Sequence, residues 1–170
     1  MTKSKIFLTL TGYQLTWFAC VFGENKFNEP LLGVYVGGIY LLIYFYFSKN
    51  KTKFIKISLS ISIPGYIFDT LMVFFSIYKF NSSFILGTLP FWMIILWLSF
   101  STLFDEILLF FKNYKILGII ISGSIAPITY YAGQPLGIIN INNIILFFML
   151  MVSFWSLLML YYLKYLIKKN

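Results

Sequence analysis

The sequence predicts an all-α fold: a polytopic integral membrane bundle of six transmembrane helices with both termini in the cytoplasm. Three observations predict it. The 170 residues are 60% hydrophobic with a mean hydropathy of +0.86, against roughly 45–50% apolar in a soluble domain. The apolar residues gather in runs of about 17 to 24 residues, long enough to cross a hydrocarbon core that needs about 20. The 13 basic residues, all lysine, cluster at the ends of those runs and between them. One transmembrane domain then covers the whole chain, with spans at about 6–22, 31–47, 57–78, 90–111, 116–132 and 144–167.

The first span follows Lys3 and Lys5 and carries Thr11, Gln14 and Thr16, which can bond other helices. Trp17-Phe18-Ala19-Cys20 has the outline of a lipoprotein cleavage site. Trp is a poor fit three places before the cysteine, so a retained span is expected. Pro30 suits the first turn of the second helix, which carries Gly33-x-x-x-Gly37. That pattern predicts close helix contact rather than dimerisation.

The third span holds Pro64-Gly65, predicting a kink, and then Asp69. Ser62, Gly65, Tyr66, Asp69, Val73 and Ser76 share one face by their spacing. The fourth span, with Pro90 in its first turn, places Trp97, Ser101 and Asp105 at i, i+4 and i+8. Thr102 and Glu106 lie beside them. Adjacent helix positions point about 100° apart, so Asp105 and Glu106 do not share one target. The fifth span has Gly118, Ser122 and Ala126 as a small-residue strip and Pro127 as a bend. It ends in Tyr130-Tyr131, an interfacial belt. The sixth has no strongly polar residue in its middle and reads as a lipid-facing wall.

Lysine position orients the bundle. The amino terminus has two lysines, the 48–56 loop four, the 112–115 loop two and the carboxyl end three; the other three loops hold only Lys26 and Lys79. Positive charge concentrates on cytoplasmic segments, and the alternation holds at every loop. At about 1.5 Å per residue, Asp69 lies about 18 Å deep, Asp105 about 9 Å and Gln14 about 12 Å. These groups are expected to line a polar cavity in the cytoplasmic half.

The absence of histidine removes the commonest metal ligand and general base. The absence of arginine removes the bidentate phosphate fork. A single cysteine excludes an internal disulfide. No metal-ligand spacing, glycine-rich phosphate loop or nucleophile–base pair is present, so neither a metal nor a cofactor is expected. The net charge of +8 sits at span ends and does not indicate nucleic acid.

The candidate functional residues are Gln14, Asp69, Trp97, Ser101, Thr102, Asp105, Glu106 and Tyr130. An ionisable side chain inside an apolar span costs at least ~2.5 kcal/mol and often marks function. Asp69 has three readings: a proton-binding carboxylate, a structural acceptor for neighbouring helices, or the partner of a lysine.

Four segments in order resemble a bacterial inner-membrane family, domain-of-unknown-function family 2878. They are Gly12 to Cys20, Gly65 to Leu71, Pro90-Phe91-Trp92 with Leu96 to Leu103, and Gly123 to Gly133. The resemblance spans nearly the whole chain. It implies a small multi-span protein of the bacterial inner membrane, placed near genes for membrane-lipid modification. In the family's pattern the fourth helix continues after its Thr with Asn and His; here the polar places that follow hold Asp105 and Glu106. If that histidine is catalytic in the family, the role is altered or absent in this chain.

These features favour a protein acting on or with membrane lipids through the buried polar groups. The alternatives are a small proton-coupled transporter, or a non-catalytic subunit docking a membrane-protein partner through its small-residue strips. No internal repeat is found, which counts against the transporter.

Overall fold

The computed structural model describes residues 3–167. The side chain of Asp105, and Lys168 and Lys169 from the lysine count, lie outside the described residues. Helices take 76% of the chain. Six of them are α-helices: α1 (Lys3–Phe27), α2 (Leu32–Phe47), α3 (Lys51–Phe74), α4 (Trp92–Glu106), α5 (Lys115–Ala132) and α6 (Ile144–Tyr161). Four helical segments are long and apolar enough to cross a membrane: Lys3–Phe27, Lys51–Phe74, Lys115–Ala132 and Ile144–Leu166. Leu32–Phe47 and Trp92–Phe104 are shorter and equally apolar in character.

Several boundaries differ from the sequence expectation, for identifiable reasons. The expected starts at Ile6 and Ile57 mark apolar runs, not helices: α1 begins at Lys3 and α3 at Lys51. Asn50 caps α3, its side chain accepting from the Lys53 N–H at 2.8 Å, and the polar first turn of lysines is helical as well. At its other end α3 stops at Phe74, before the expected Tyr78. Ser76 adopts φ +56°, and the N–H groups of Ser76 and Ile77 donate to the carbonyls of Val73 and Met72 at 2.9 Å each. This paired capping usually employs glycine; a serine in an apolar run gives no such signal. Ser76 therefore leaves the polar face of α3.

Four short strands add to the expected helices: β1 (Tyr78–Phe80), β2 (Ile85–Leu86), β3 (Leu89–Pro90) and β4 (Ile139–Ile141). Pro90 stands in β3, not in the first turn of α4. β2 and β3 form a two-residue hairpin pairing Ile85 with Pro90. Gly87 has φ +68° there, the positive value a tight hairpin loop needs. The expected fourth helix to Phe111 ends at Glu106, and Leu108–Lys112 tightens into a 3-10 turn. No glycine or proline marks that break. Pro64 and Pro127 both sit inside helices that continue through them.

The chain forms two compact units. Unit 1 comprises Met1–Asp69 and Ser82–Ile107; unit 2 comprises Thr70–Asn81 and Leu108–Asn170. In unit 1, α1, α2 and α4 pack pairwise against one another. Glycines set those contacts. A Cβ on Gly12 would lie 2.1 Å from the Tyr40 ring, and one on Gly33 2.7 Å from the Cys20 Cα. A Cβ on Gly37 would lie 2.2 Å from Ile95. The Gly33–Gly37 pattern thus serves helix contact within the chain.

Unit 2 is built on α5 against α6, with Phe147, Met151, Trp155 and Met159 buried on α6. β1 pairs antiparallel with β4, Tyr78 opposite Ile141 and Phe80 opposite Ile139. Tyr78 and Phe80 point into the core and Lys79 outward, the alternation of a half-buried strand. Asn143 caps α6 by accepting from Leu146 N–H at 3.0 Å. α6 runs on into a π turn over Tyr162–Leu166.

Candidate functional site

Unit 1 gathers most of the predicted polar residues, and α4 carries them on two faces. One face holds Trp97 and Ser101 and meets α3. The other holds Ser99, Thr102 and Glu106 and meets α1 and α2.

On the α3 side, the Trp97 Nε1–H donates to Asp69 Oδ2 at 2.7 Å, with both residues buried. Gly65 permits this: a Cβ there would stand 2.4 Å from the indole ring. The indole lies across the bare helix backbone and reaches the carboxylate one turn further along. Pro64-Gly65, read as a break, is thus also a landing place for a ring. Two turns toward the start of α3, the hydroxyls of Ser58 and Ser101 are 2.8 Å apart. The Ser101 Oγ also lies 2.6 Å from the Leu98 carbonyl. A hydroxyl has one proton, so the Ser101 O–H is shared between that carbonyl and the Ser58 Oγ, both of which accept. Between these pairs Ser62 Oγ is buried without a hydrogen-bond partner.

On the other face, Tyr40 OH and Thr102 Oγ1 are 2.7 Å apart, and Thr102 donates to the Ser99 carbonyl at 2.7 Å. By the same proton count Tyr40 donates to Thr102. Glu106 is buried and forms an ion pair with Lys5 of α1. The Lys5 ammonium also stands 5.3 Å from the centre of the Tyr44 ring. Such a pair holds a carboxylate in an apolar setting only because each charge compensates the other. The nearest lysine along the chain, Lys112, is not the partner. Position 5 is about a hundred residues away, and nothing local signals the pairing.

Two predicted residues stand apart from this group. Gln14 is exposed on α1. Tyr130 belongs to unit 2, half-buried, with its ring 6.1 Å from that of Tyr78. Asp105 continues the Trp97–Ser101 line of α4 by register. Sequence reading missed Ser58, Ser99 and Tyr40. Ser58 lies four residues before Ser62 on the same face, a signal that was present. Tyr40 was lost among 13 tyrosines.

Beside the α3–α4 contact lies an open apolar crevice of about 440 Å³. Gly38 and Phe45 of α2, Phe54, Ser58 and Leu59 of α3, and Leu98 of α4 line it, among others. Ser58 is therefore shared, forming part of the crevice wall and part of the polar contact with Ser101. Among the described residues no three His, Cys, Asp or Glu side chains cluster as metal ligands would.

The profile of one protein family, described as a protein of unknown function (DUF2878), matches residues 6–161. The chain belongs to that family. No curated protein matches the chain, and no solved structure does.

Proposed function

We propose that this chain is a multi-pass protein of the bacterial inner membrane that works on or with membrane lipids. Its working site is the polar contact between α3 and α4. The observation that carries this is the double role of Ser58. It borders an apolar crevice of about 440 Å³, within the ~300–1,000 Å³ of ligand sites. Its hydroxyl also bonds Ser101, which stands one turn along α4 from Trp97, the residue that holds the buried carboxylate of Asp69. An apolar groove whose wall backs onto a buried polar contact suits a lipid: the chain lies in the groove, and the hydroxyl pair stands directly behind its wall. The proton-carrier reading has less support, because Asp69 is held by the Trp97 indole. The subunit reading loses support, since its small-residue strip packs inside unit 2: a Cβ on Gly118 would lie 2.8 Å from Met159, and Ser122 lies 3.3 Å from the Trp155 carbonyl.

Comparing the lipid profiles of cells with and without the gene, by mass spectrometry, tests the reading. A changed phospholipid or lipid-intermediate class is expected. Asp69→Asn should fail to restore it at normal membrane abundance, because the amide keeps shape and some bonding but not charge. An unchanged profile in the deletion strain removes the lipid reading. The six-span arrangement with cytoplasmic ends has its own test. Reporter fusions after Lys53 and Asn113 should read cytoplasmic, and those after Ser82 and Asn142 periplasmic. One fusion on the wrong side breaks it.

A further inference from the structure

We infer that the crevice between α2 and α3 and the lysine-rich turn beside it hold one anionic phospholipid, its acyl chain in the crevice and its phosphate on the turn. The inference rests on the lipid reading above and names the ligand's class.

The crevice and the charge are built from the same elements. α2 ends at Phe47 and α3 begins at Lys51, so only residues 48–50 join the two helices that wall the crevice. The wall runs along α2 from Gly38 to Phe45, about 10 Å at 1.5 Å per residue. That is some two thirds of one leaflet's ~15 Å of hydrocarbon. At the turn end, Phe45 and Phe54 both line the crevice with their rings 6.1 Å apart. The Lys51 ammonium stands 5.2 Å from the centre of the Phe45 ring. One cation is thereby fixed at the rim.

The rest of the segment 48–56 carries Lys49, Lys53 and Lys56 and no acid; by register Lys53 and Lys56 lie on the side of α3 away from Phe54 and Ser58, so Lys51 is the cation at the groove. The first turn of α3 also presents the positive end of its helix dipole there. Phosphate is the complementary charge. A zwitterionic headgroup brings its own cation and gains less. The open end of the groove agrees with a chain entering from the side: a Cβ at Gly38 would meet nothing within 4 Å.

Native mass spectrometry of the full chain in neutral detergent tests this. The probes are phosphatidylglycerol, phosphatidylcholine with the same acyl chains, and glycerol 3-phosphate without chains. One phosphatidylglycerol should be retained at a concentration about fivefold below that needed for phosphatidylcholine, since the one lysine at the rim is worth roughly fivefold. Gly38→Phe, which fills the groove, should weaken retention of both lipids about tenfold. Lys51→Gln should erase the preference while leaving phosphatidylcholine unchanged, and Lys56→Gln, on the other side of α3, should leave both unchanged. Should Gly38→Phe elute as misfolded protein, Leu59→Trp fills the same groove from an exposed wall position.

Four outcomes overturn the inference, each differently. Equal retention of the two lipids, both lost on filling the groove, removes the anionic headgroup but leaves the lipid crevice standing. Undiminished phosphatidylglycerol binding in both groove-filling variants means surface attraction to the lysines alone. Displacement by glycerol 3-phosphate at equal concentration means a phosphate site without a chain. Retention of neither lipid removes the crevice reading as well.

Discussion

The two units hold themselves together by different means. Unit 1 is tied across its helices by polar side chains: Lys5 to Glu106, Tyr40 to Thr102, Ser58 to Ser101 and Trp97 to Asp69. In unit 2 the helix pair α5–α6 is mostly apolar, crossed by the Ser122 hydroxyl reaching the Trp155 carbonyl at 3.3 Å, and its other side-chain hydrogen bonds between elements gather around the strand pair. Asn140 bonds Asn81 at 3.0 Å, and Asn142 donates to the Ser76 carbonyl at 2.8 Å. The contrast separates two uses of polarity. In unit 2 it fixes loops and caps. In unit 1 it stands between helices, where each group must find a partner or cost energy, and where chemistry becomes available.

The largest expected effect breaks the comparison at its charges. Lys5→Met leaves the buried Glu106 without its cation and should destabilise the protein by about 3 kcal/mol. Lys164 in unit 2 is exposed and stands 5.0 Å from the centre of the Tyr165 ring; Lys164→Met should cost no more than about 0.5–1 kcal/mol. Unfolding in mixed micelles of rising sodium dodecyl sulfate measures both. Glu106→Gln in the Lys5→Met background should recover about half of the loss, because the orphaned charge is gone. If both lysine variants cost the same, the ion pair does not distinguish the units.

A second, smaller contrast lies in the glycines. A Cβ at Gly65 would stand 2.4 Å from the rigid indole of Trp97; one at Gly123 in unit 2 would stand 2.4 Å from Ser156 Oγ. The distances are alike, but a hydroxyl rotates away and a ring does not. Gly65→Ala should therefore cost about 1–3 kcal/mol by overpacking. It should also pull the indole from Asp69. Gly123→Ala should stay near neutral, since the helix gain of about 1 kcal/mol from replacing glycine offsets the shift of Ser156. The same micelle titration reads both. A Gly123→Ala cost equal to that of Gly65→Ala would show that contact distance alone decides.

Much of this architecture was legible in the sequence, and the missing part has a physical cause. Helical periodicity placed Trp97 and Ser101 on one line of α4 and Thr102 and Glu106 beside it, as the structure has them. The burial of Asp69 followed from the cost of a carboxylate in an apolar run. Apolar runs did not give helix ends, because hydropathy reports solvent preference and not backbone hydrogen bonding. Hence the lysine-rich first turn of α3 and the stop at Phe74 were unseen. The strands escaped because three residues are too few to show period two. Lys5–Glu106 was beyond reach, since pairing across about a hundred residues leaves no local trace.

The smallest expected effect sharpens the comparison where the units resemble each other. Ser101 and Ser122 are both half-satisfied from their own helix: Ser101 lies 2.6 Å from the Leu98 carbonyl, and Ser122 3.1 Å from the Ile119 carbonyl. Each also reaches a second helix, Ser101 to Ser58 at 2.8 Å and Ser122 to the Trp155 carbonyl at 3.3 Å. Interhelical hydrogen bonds between apolar helices average only about 0.6 kcal/mol. Ser101→Ala should cost about that much, because it leaves the buried Ser58 hydroxyl without its interhelical partner. Ser122→Ala should cost less, because its interhelical contact is long and a carbonyl already serving α6 loses little. A difference of a few tenths of a kcal/mol, resolved by replicate micelle titrations, is the expected result. Should Ser122→Ala cost as much as Ser101→Ala, hydroxyl contacts support both units alike. Unit 1 would then differ only in its charges and in the ring laid over Gly65, which is where Asp69 would have to do its work.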